Sequence, residues 1–89
     1  MNAAQQELFD LAILRVLDAN RSRFGLNAEG IGHMLIGFGF GSAKPDDVVD
    51  RVDVLARKGL VEEVLKALGA ANRAWRITTK GIAIVDERG

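Results

Sequence analysis

The 89-residue chain contains no cysteine. That excludes disulfide staples, a thiol nucleophile and cysteine-held zinc. Histidine occurs once, as His33. A metal site needs several converging ligands, so neither a metal nor a cofactor is expected, and His33 reads as a helix-surface or partly buried side chain. Excess charge is also missing, because twelve Lys and Arg residues cancel twelve Asp and Glu residues. Free-standing nucleic-acid binders are usually more basic, since phosphate contacts supply much of their affinity. Neutrality leaves room for local basic patches only. No apolar run approaches the roughly 20 residues of a membrane span, and Met1 to Glu7 lacks the basic region and apolar core of a signal peptide. A cytoplasmic protein with no membrane contact is the expectation. No Ser/His/Asp order, nucleophile motif or pocketed carboxylate pair is present, and so short a chain has little room for a cleft. No catalysis is expected.

What is present suits one small folded domain over residues 1–89, without repeats or linkers. Apolar residues make up 48% of the chain. A chain of this size buries roughly 60–65% of the surface it exposes when unfolded, enough for a single core. Ala3 to Asn20 reads as a helix with Phe9, Ala12, Ile13, Val16 and Leu17 on one face and Glu7, Asp10, Arg15 and Asp18 on the other. Leu11 and Leu14 fall among the polar positions. They are either a widening of the core face or a self-association surface. Asn20 to Gly25 is a turn with Arg21 and Arg23 exposed. Asn27 then caps a second helix, its side chain accepting a free backbone N–H, and Ile31, Met34 and Leu35 give the buried face. Gly30 and Gly32 each cost about 1 kcal/mol of helix propensity, so this helix is short and held by packing, with close approach to a neighbouring helix one use for the glycines.

Gly37-Phe38-Gly39-Phe40-Gly41 has glycines but neither the Gly-Lys-Ser/Thr nor the βαβ frame of a phosphate loop. It reads as a bend between helices, with Phe38 or Phe40 pinning it to the core. The stretch from Asp46 to Val64 organises the rest. Val48, Val52 and Leu55 share a helix face, with Pro45 in the first turn where its missing N–H does no harm. Arg57, Lys58 and Gly59 end the helix as cations and an αL glycine should. Leu60 and Val61 enter a strand that runs to Ala67. A loop at Leu68–Asn72 leads to a returning strand, Ala74–Thr78, in which Trp75 and Ile77 alternate with Arg76. Thr78 or Thr79 caps a last short helix bearing Ile82, Ala83, Ile84 and Val85. The fold class is mostly α with a small β-hairpin.

With Val52-x-x-Leu55-x-x-x-Gly59-Leu60-Val61 and Trp75-Arg76-Ile77-Thr78-Thr79-Lys80-Gly81, residues 8 to 86 resemble the winged helix-turn-helix domains of prokaryotic transcriptional regulators, in a pattern similar to MarR-like and PadR-like proteins. The resemblance implies a three-helix core with a wing and a short C-terminal helix. It also implies a DNA-binding transcription regulator, with the third helix in the major groove of double-stranded DNA and the wing on the adjacent backbone. The basic residues available for that role are Lys44, Arg51, Arg57, Lys58, Arg73, Arg76 and Lys80, with Arg73 at the wing's tip. A homodimer would double the phosphate footprint and match a two-fold operator, and Leu11, Leu14, Ile82 and Ile84 on the terminal helices are its candidate interface.

The outward face of the third helix complicates that role. Asp46, Asp47, Asp50 and Asp53 occupy its first turns. Carboxylates can accept from cytosine amino groups, but four of them beside a phosphate lattice repel it. Two other readings of these acids stay open. Asp46 and Asp47 favour the helix N-terminus, and Asp47–Arg51 and Asp53–Arg57 are i,i+4 pairs worth about 0.2–0.5 kcal/mol each. Alternatively Asp46, Asp47, Val49, Asp50 and Val54 form a docking face for a basic, partly apolar protein partner, and the domain binds no DNA.

Overall fold

A computed structural model describes residues 2–64 and 73–88. The expected continuation of the first hairpin strand to Ala67, and the loop at Leu68–Asn72, lie outside the described residues from Leu65 onward. Within them the chain runs α1 (Ala3–Ala19), β1 (Leu26–Asn27), α2 (Ala28–Leu35), a 3₁₀ turn (Ile36–Phe38), α3 (Pro45–Arg57), β2 (Val61–Val64), β3 (Ala74–Ile77) and α4 (Thr79–Arg88). The architecture is helical with a small three-stranded antiparallel sheet in the order β1-β3-β2. No helix among the described residues is long and apolar enough to cross a membrane.

Each helix starts where a side chain can take up a free N–H. Asn2 and Gln5 exchange side-chain bonds with each other's backbone N–H at the head of α1, Gln5 N–H to Asn2 at 2.8 Å and Asn2 N–H to Gln5 at 3.2 Å, a capping box. Asn27 Oδ1 accepts the Gly30 N–H at 2.7 Å. Asp47 reaches back to accept the Lys44 N–H at 3.1 Å. Of the two threonines, it is Thr78 that caps α4, accepting the Gly81 N–H at 3.1 Å.

The core gathers on α1. Phe9, Ile13, Val16 and Leu17 meet Ile31 and Leu35 of α2, Val48, Val52 and Leu55 of α3, and Val61, Trp75 and Ile77 of the sheet. Leu14 belongs with them at 2% exposure. Its place among polar positions on the α1 wheel reflects coverage of a second side of α1 by α4. Phe40 rather than Phe38 pins the glycine-rich bend. Its ring stands edge-on to Phe9 with centroids 5.1 Å apart, while Phe38 is 44% exposed. Met34, expected in the core, is 39% exposed. An eight-residue α2 presents one stripe inward, Ile31 and Leu35, and Met34 sits off that line.

Geometry requires glycine at both sides of the α3–α4 junction. Gly59, with φ +78°, ends α3 in a Schellman arrangement: its N–H bonds to the Ala56 carbonyl at 3.0 Å and the Leu60 N–H to the Leu55 carbonyl at 3.0 Å. This turns the chain directly into β2. Gly81 in α4 lies so close to that turn that a Cβ would stand 2.1 Å from the Leu60 carbonyl oxygen. Gly32, by contrast, faces Val48 with room for a methyl group, the nearest atom lying at 4.0 Å. The glycines of α2 are not what lets helices touch.

The strand at Leu26–Asn27 is a correction. From sequence Asn27 reads only as the cap of the second helix, yet Leu26 and Asn27 are strand residues. They pair antiparallel with Trp75 and Ala74 first, and Asn27 then serves as both strand end and helix cap. The hairpin expected from two strands is therefore a sheet of three.

Candidate functional site

The candidate residues lie on three surfaces. The first is the outer face of α3. With Val48, Val52 and Leu55 buried, the helical step sets Asp46, Asp50 and Arg57 on the opposite side, and all three are exposed. Lys44, also exposed, stands at the head of the helix. The other two aspartates are occupied, though not as expected. Asp47 caps the helix, so the Asp47–Arg51 pair is not made. Arg51 instead crosses to α1 and grips Asp10 with both prongs, Nε to Oδ1 at 2.8 Å and Nη2 to Oδ2 at 2.7 Å. The hydrogen bond to Asp10 holds the guanidinium pKa above its ordinary value. Nor is Asp53–Arg57 made between side chains: Asp53 takes Arg73 at 2.8 Å, and among the described residues Arg57 reaches the Asp53 backbone carbonyl, at 3.4 Å. Arg51 and Arg73 each gain a two-pronged carboxylate from a tertiary partner, stronger than a single local contact.

The second surface is the sheet. Its register sets Val61 opposite Ile77, Glu62 opposite Arg76 and Glu63 opposite Trp75. Residues directly opposite share a face, so Glu63 lies on the side of Trp75 and α3, whereas Glu62 and Arg76 lie on the other side. Arg73, expected as a free cation at the wing's tip, is clamped. Its Nε and Nη2 bond Glu63 at 3.0 and 2.9 Å, Nη2 also reaches Asp53, and the guanidinium lies 4.9 Å from the Trp75 ring centroid. The bond to Glu63 raises the Arg73 pKa, and the same bond lowers that of Glu63. Arg76 pairs with Glu62. The two wing arginines therefore sit on opposite faces, each with its own carboxylate. Trp75, beneath Arg73, is buried with its indole N–H unpartnered among the described residues.

Lys80, though exposed, donates to the Lys58 carbonyl at 3.0 Å, and Lys58 lines a groove between α1 and α4. Of the seven candidate cations, Lys44 and Arg57 are the two on the outer face of α3 without a carboxylate partner among the described residues. Asp46 and Asp50 match them in number. The alternative docking residues divide as well: Asp46 and Asp50 are exposed, Val54 is half-buried, Val49 packs against the core and Asp47 is spent on its cap.

The third surface is a groove of about 470 Å³ between α1 and α4. Leu11, Leu14 and Ile84 line it together with Leu8, Leu55 and Leu60, under a rim of Glu7, Asp10, Lys58 and Arg88. Leu14 is its floor. Ile82 is not part of it. That residue lies across α4 in a polar cleft with Arg21, Arg23, Arg76 and Thr79. Leu8, which sequence reasoning missed, is 60% exposed. Its signal was a second apolar stripe on α1, Leu8 and Leu11 one turn apart and continued by Leu14. Exposed His33 has no company, for no group of three or more metal-ligating side chains converges among the described residues. The chain matches no protein-family model, and no curated protein or solved structure matches it significantly.

Proposed function

We propose that the chain is a winged-helix domain that binds duplex DNA, with α3 offered to the major groove and β2–β3 as the wing. The wiring of the sheet carries this reading. A short strand before α2 pairs with the returning strand β3, and β3 pairs with β2, which caps the helices on one side and leaves the outer face of α3 uncovered. The resemblance of the Gly59-Leu60-Val61 and Trp75-to-Gly81 segments to winged-helix regulators implies the exposed third helix and the β2–β3 wing, to which the pairing of β1 is an addition.

The charges make this a light grip on phosphate. Lys44 and Arg57 supply about two phosphate contacts per chain, so log K should fall with log salt at a slope of about −1.8 for each bound chain. Between 50 and 200 mM salt that is roughly a tenfold loss. Asp46 and Asp50 suit cytosine amino groups rather than backbone. Fluorescence anisotropy on mixed-sequence duplexes tests this. Lys44→Ala and Arg57→Ala should each flatten the slope by about one, and Asp50→Asn should tighten non-specific binding. No binding at 20 mM salt, or a slope near zero, sinks the reading.

One observation favours a second reading, in which α3 docks a basic protein partner: Asp46 and Asp50 stand exposed beside half-buried Val54. Asp50→Arg separates the two. It strengthens duplex binding under the first reading and abolishes capture of an arginine-rich peptide under the second.

A further inference from the structure

We propose that the cleft between the turn after α1, the sheet and the start of α4 binds a small phosphomonoester, whose phosphate is held by Arg21, Arg23 and Arg76. These residues are far apart in sequence, and β1 brings them together. Leu26 pairs with Trp75, and a Cβ at Gly25 would stand 2.6 Å from the Trp75 carbonyl oxygen. The turn that carries Arg21 and Arg23 is therefore pressed against the strand that carries Arg76. Ser22 shapes the turn, its hydroxyl accepting the Phe24 N–H at 3.1 Å. The result is a cleft of about 510 Å³. Arg76 and Glu62 enter it from the side of the sheet away from Trp75, so this inference does not rest on the DNA reading of α3.

The charges name the ligand. Three guanidiniums meet one lining carboxylate, Glu62. Arg23 has no carboxylate partner among the described residues. It lies 4.9 Å from the Phe24 ring centroid, a contact that steadies a cation without neutralising it. Arg76 is paired with Glu62 and Arg21 with Asp18, but both arginines are exposed, and exposed pairs are weak enough to yield to a stronger anion. Guanidinium forks match the oxygens of phosphate and carboxylate. A phosphomonoester carries a charge of about −1.5 to −2 and three terminal oxygens, so every fork finds an acceptor. A single carboxylate has two oxygens and one charge, which leaves a fork over. The Ser22 and Thr79 hydroxyls can donate to the same group, and half-buried Ile82 adds an apolar wall. The volume falls within the roughly 300–1,000 Å³ of small-molecule sites, more than an inorganic anion needs and enough for a sugar-sized body.

Isothermal titration calorimetry of the full chain with ribose 5-phosphate tests this. It should show one site per chain with a Kd below about 1 mM. Inorganic phosphate should compete more weakly, and ribose not at all. Arg23→Ala should weaken binding at least about tenfold with unchanged far-UV circular dichroism, since Arg23 is exposed. Glu62→Gln, which releases Arg76, should tighten it. Arg15→Ala removes a cation of α1 outside the cleft and should leave the affinity unchanged. No saturable binding by about 10 mM ligand, equal affinity for ribose or inorganic phosphate, or equal losses in the Arg15 and Arg23 variants overturns the proposal. So does a duplex that displaces ribose 5-phosphate and itself loses affinity with Arg23→Ala, which would make the cleft a contact for DNA backbone. A chain that binds ribose 5-phosphate but no duplex would remove the DNA reading and support this one.

Discussion

Truncating Asp10 to alanine should cost the fold about 2–3 kcal/mol, although no apolar contact of the core is removed. The change strips Arg51 of both its acceptors, at 2.8 and 2.7 Å, while its side chain remains 19% exposed between α1 and α3. Exposed ion pairs are worth about 0.2–1 kcal/mol, and breaking a fully buried one costs about 3–5 kcal/mol. Asp10 is itself 15% exposed, so the pair falls between these limits, and its two-pronged geometry moves it above the surface value. A double-mutant cycle of Asp10→Ala, Arg51→Ala and the double variant should give a coupling of about 2 kcal/mol. In a chain of this size the roughly 2–3 kcal/mol loss of the single Asp10 variant corresponds to a melting temperature roughly 8–24 °C lower. Urea denaturation followed by Trp75 emission reads the cycle. Repeating it in 1 M NaCl adds a control, because salt screens exposed charges most strongly. The Arg88–Glu7 pair should lose what little coupling it has, and Asp10–Arg51 should keep most of its own. A coupling below about 0.5 kcal/mol, or one that vanishes in salt, refutes the view that this pair fixes how α3 lies on α1.

Three further outcomes are expected. Gly81→Ala should destabilise by about 3 kcal/mol or more because a Cβ meets the Leu60 carbonyl, whereas Gly59→Ala should cost about 1 kcal/mol, the strain of a positive φ in open space; equal losses in denaturant titrations would contradict the close-approach reading of Gly81. Phe40→Ala should cost about 2–3 kcal/mol and Phe38→Ala less than about 0.5 kcal/mol, as measured by thermal melting. Glu63, its pKa depressed by the Arg73 hydrogen bond, contributes stability that is complete above the ordinary carboxylate range near about 4.3 and is lost as pH falls through its lower folded value. Glu63→Gln should therefore remove part of the acid limb of the stability profile, and an unchanged limb would show that the clamp on Arg73 adds nothing.

The elements that could be read from sequence are those whose signals are local. Periodicity placed the core faces of α1 and α3, Asn27 announced a cap, and Gly59 between a cation pair and two apolar residues announced a helix stop followed by a strand. Each rests on contacts within a few residues. What escaped rests on residues far apart. Two residues are too short for strand alternation to register, so β1 exists only because β3 offers a free edge. Leu14 looks misplaced on a helix wheel until a second helix, more than sixty residues later, covers that side. The site was less legible still, because ion pairing is a competition. Asp47 and Arg51 are well spaced for each other, but a backbone N–H and an aspartate 41 residues away took them. Seven cations in a sequence thus became two on the outer face of α3.

The joint between α3 and α4 has a mechanical consequence. Three successive carbonyls at the end of α3 receive bonds from the start of α4: Lys58 from Lys80 Nζ, Gly59 from the Thr78 hydroxyl at 2.7 Å, and Leu60 from the Thr78 N–H at 3.1 Å. Gly81 presses against the last of them. A joint bonded at three consecutive points and packed at a fourth transmits rotation instead of absorbing it. Rolling or tilting α4 must strain these bonds or carry the C-terminal turn of α3 with it. The terminal helix is thus tied to the helix whose outer face is uncovered.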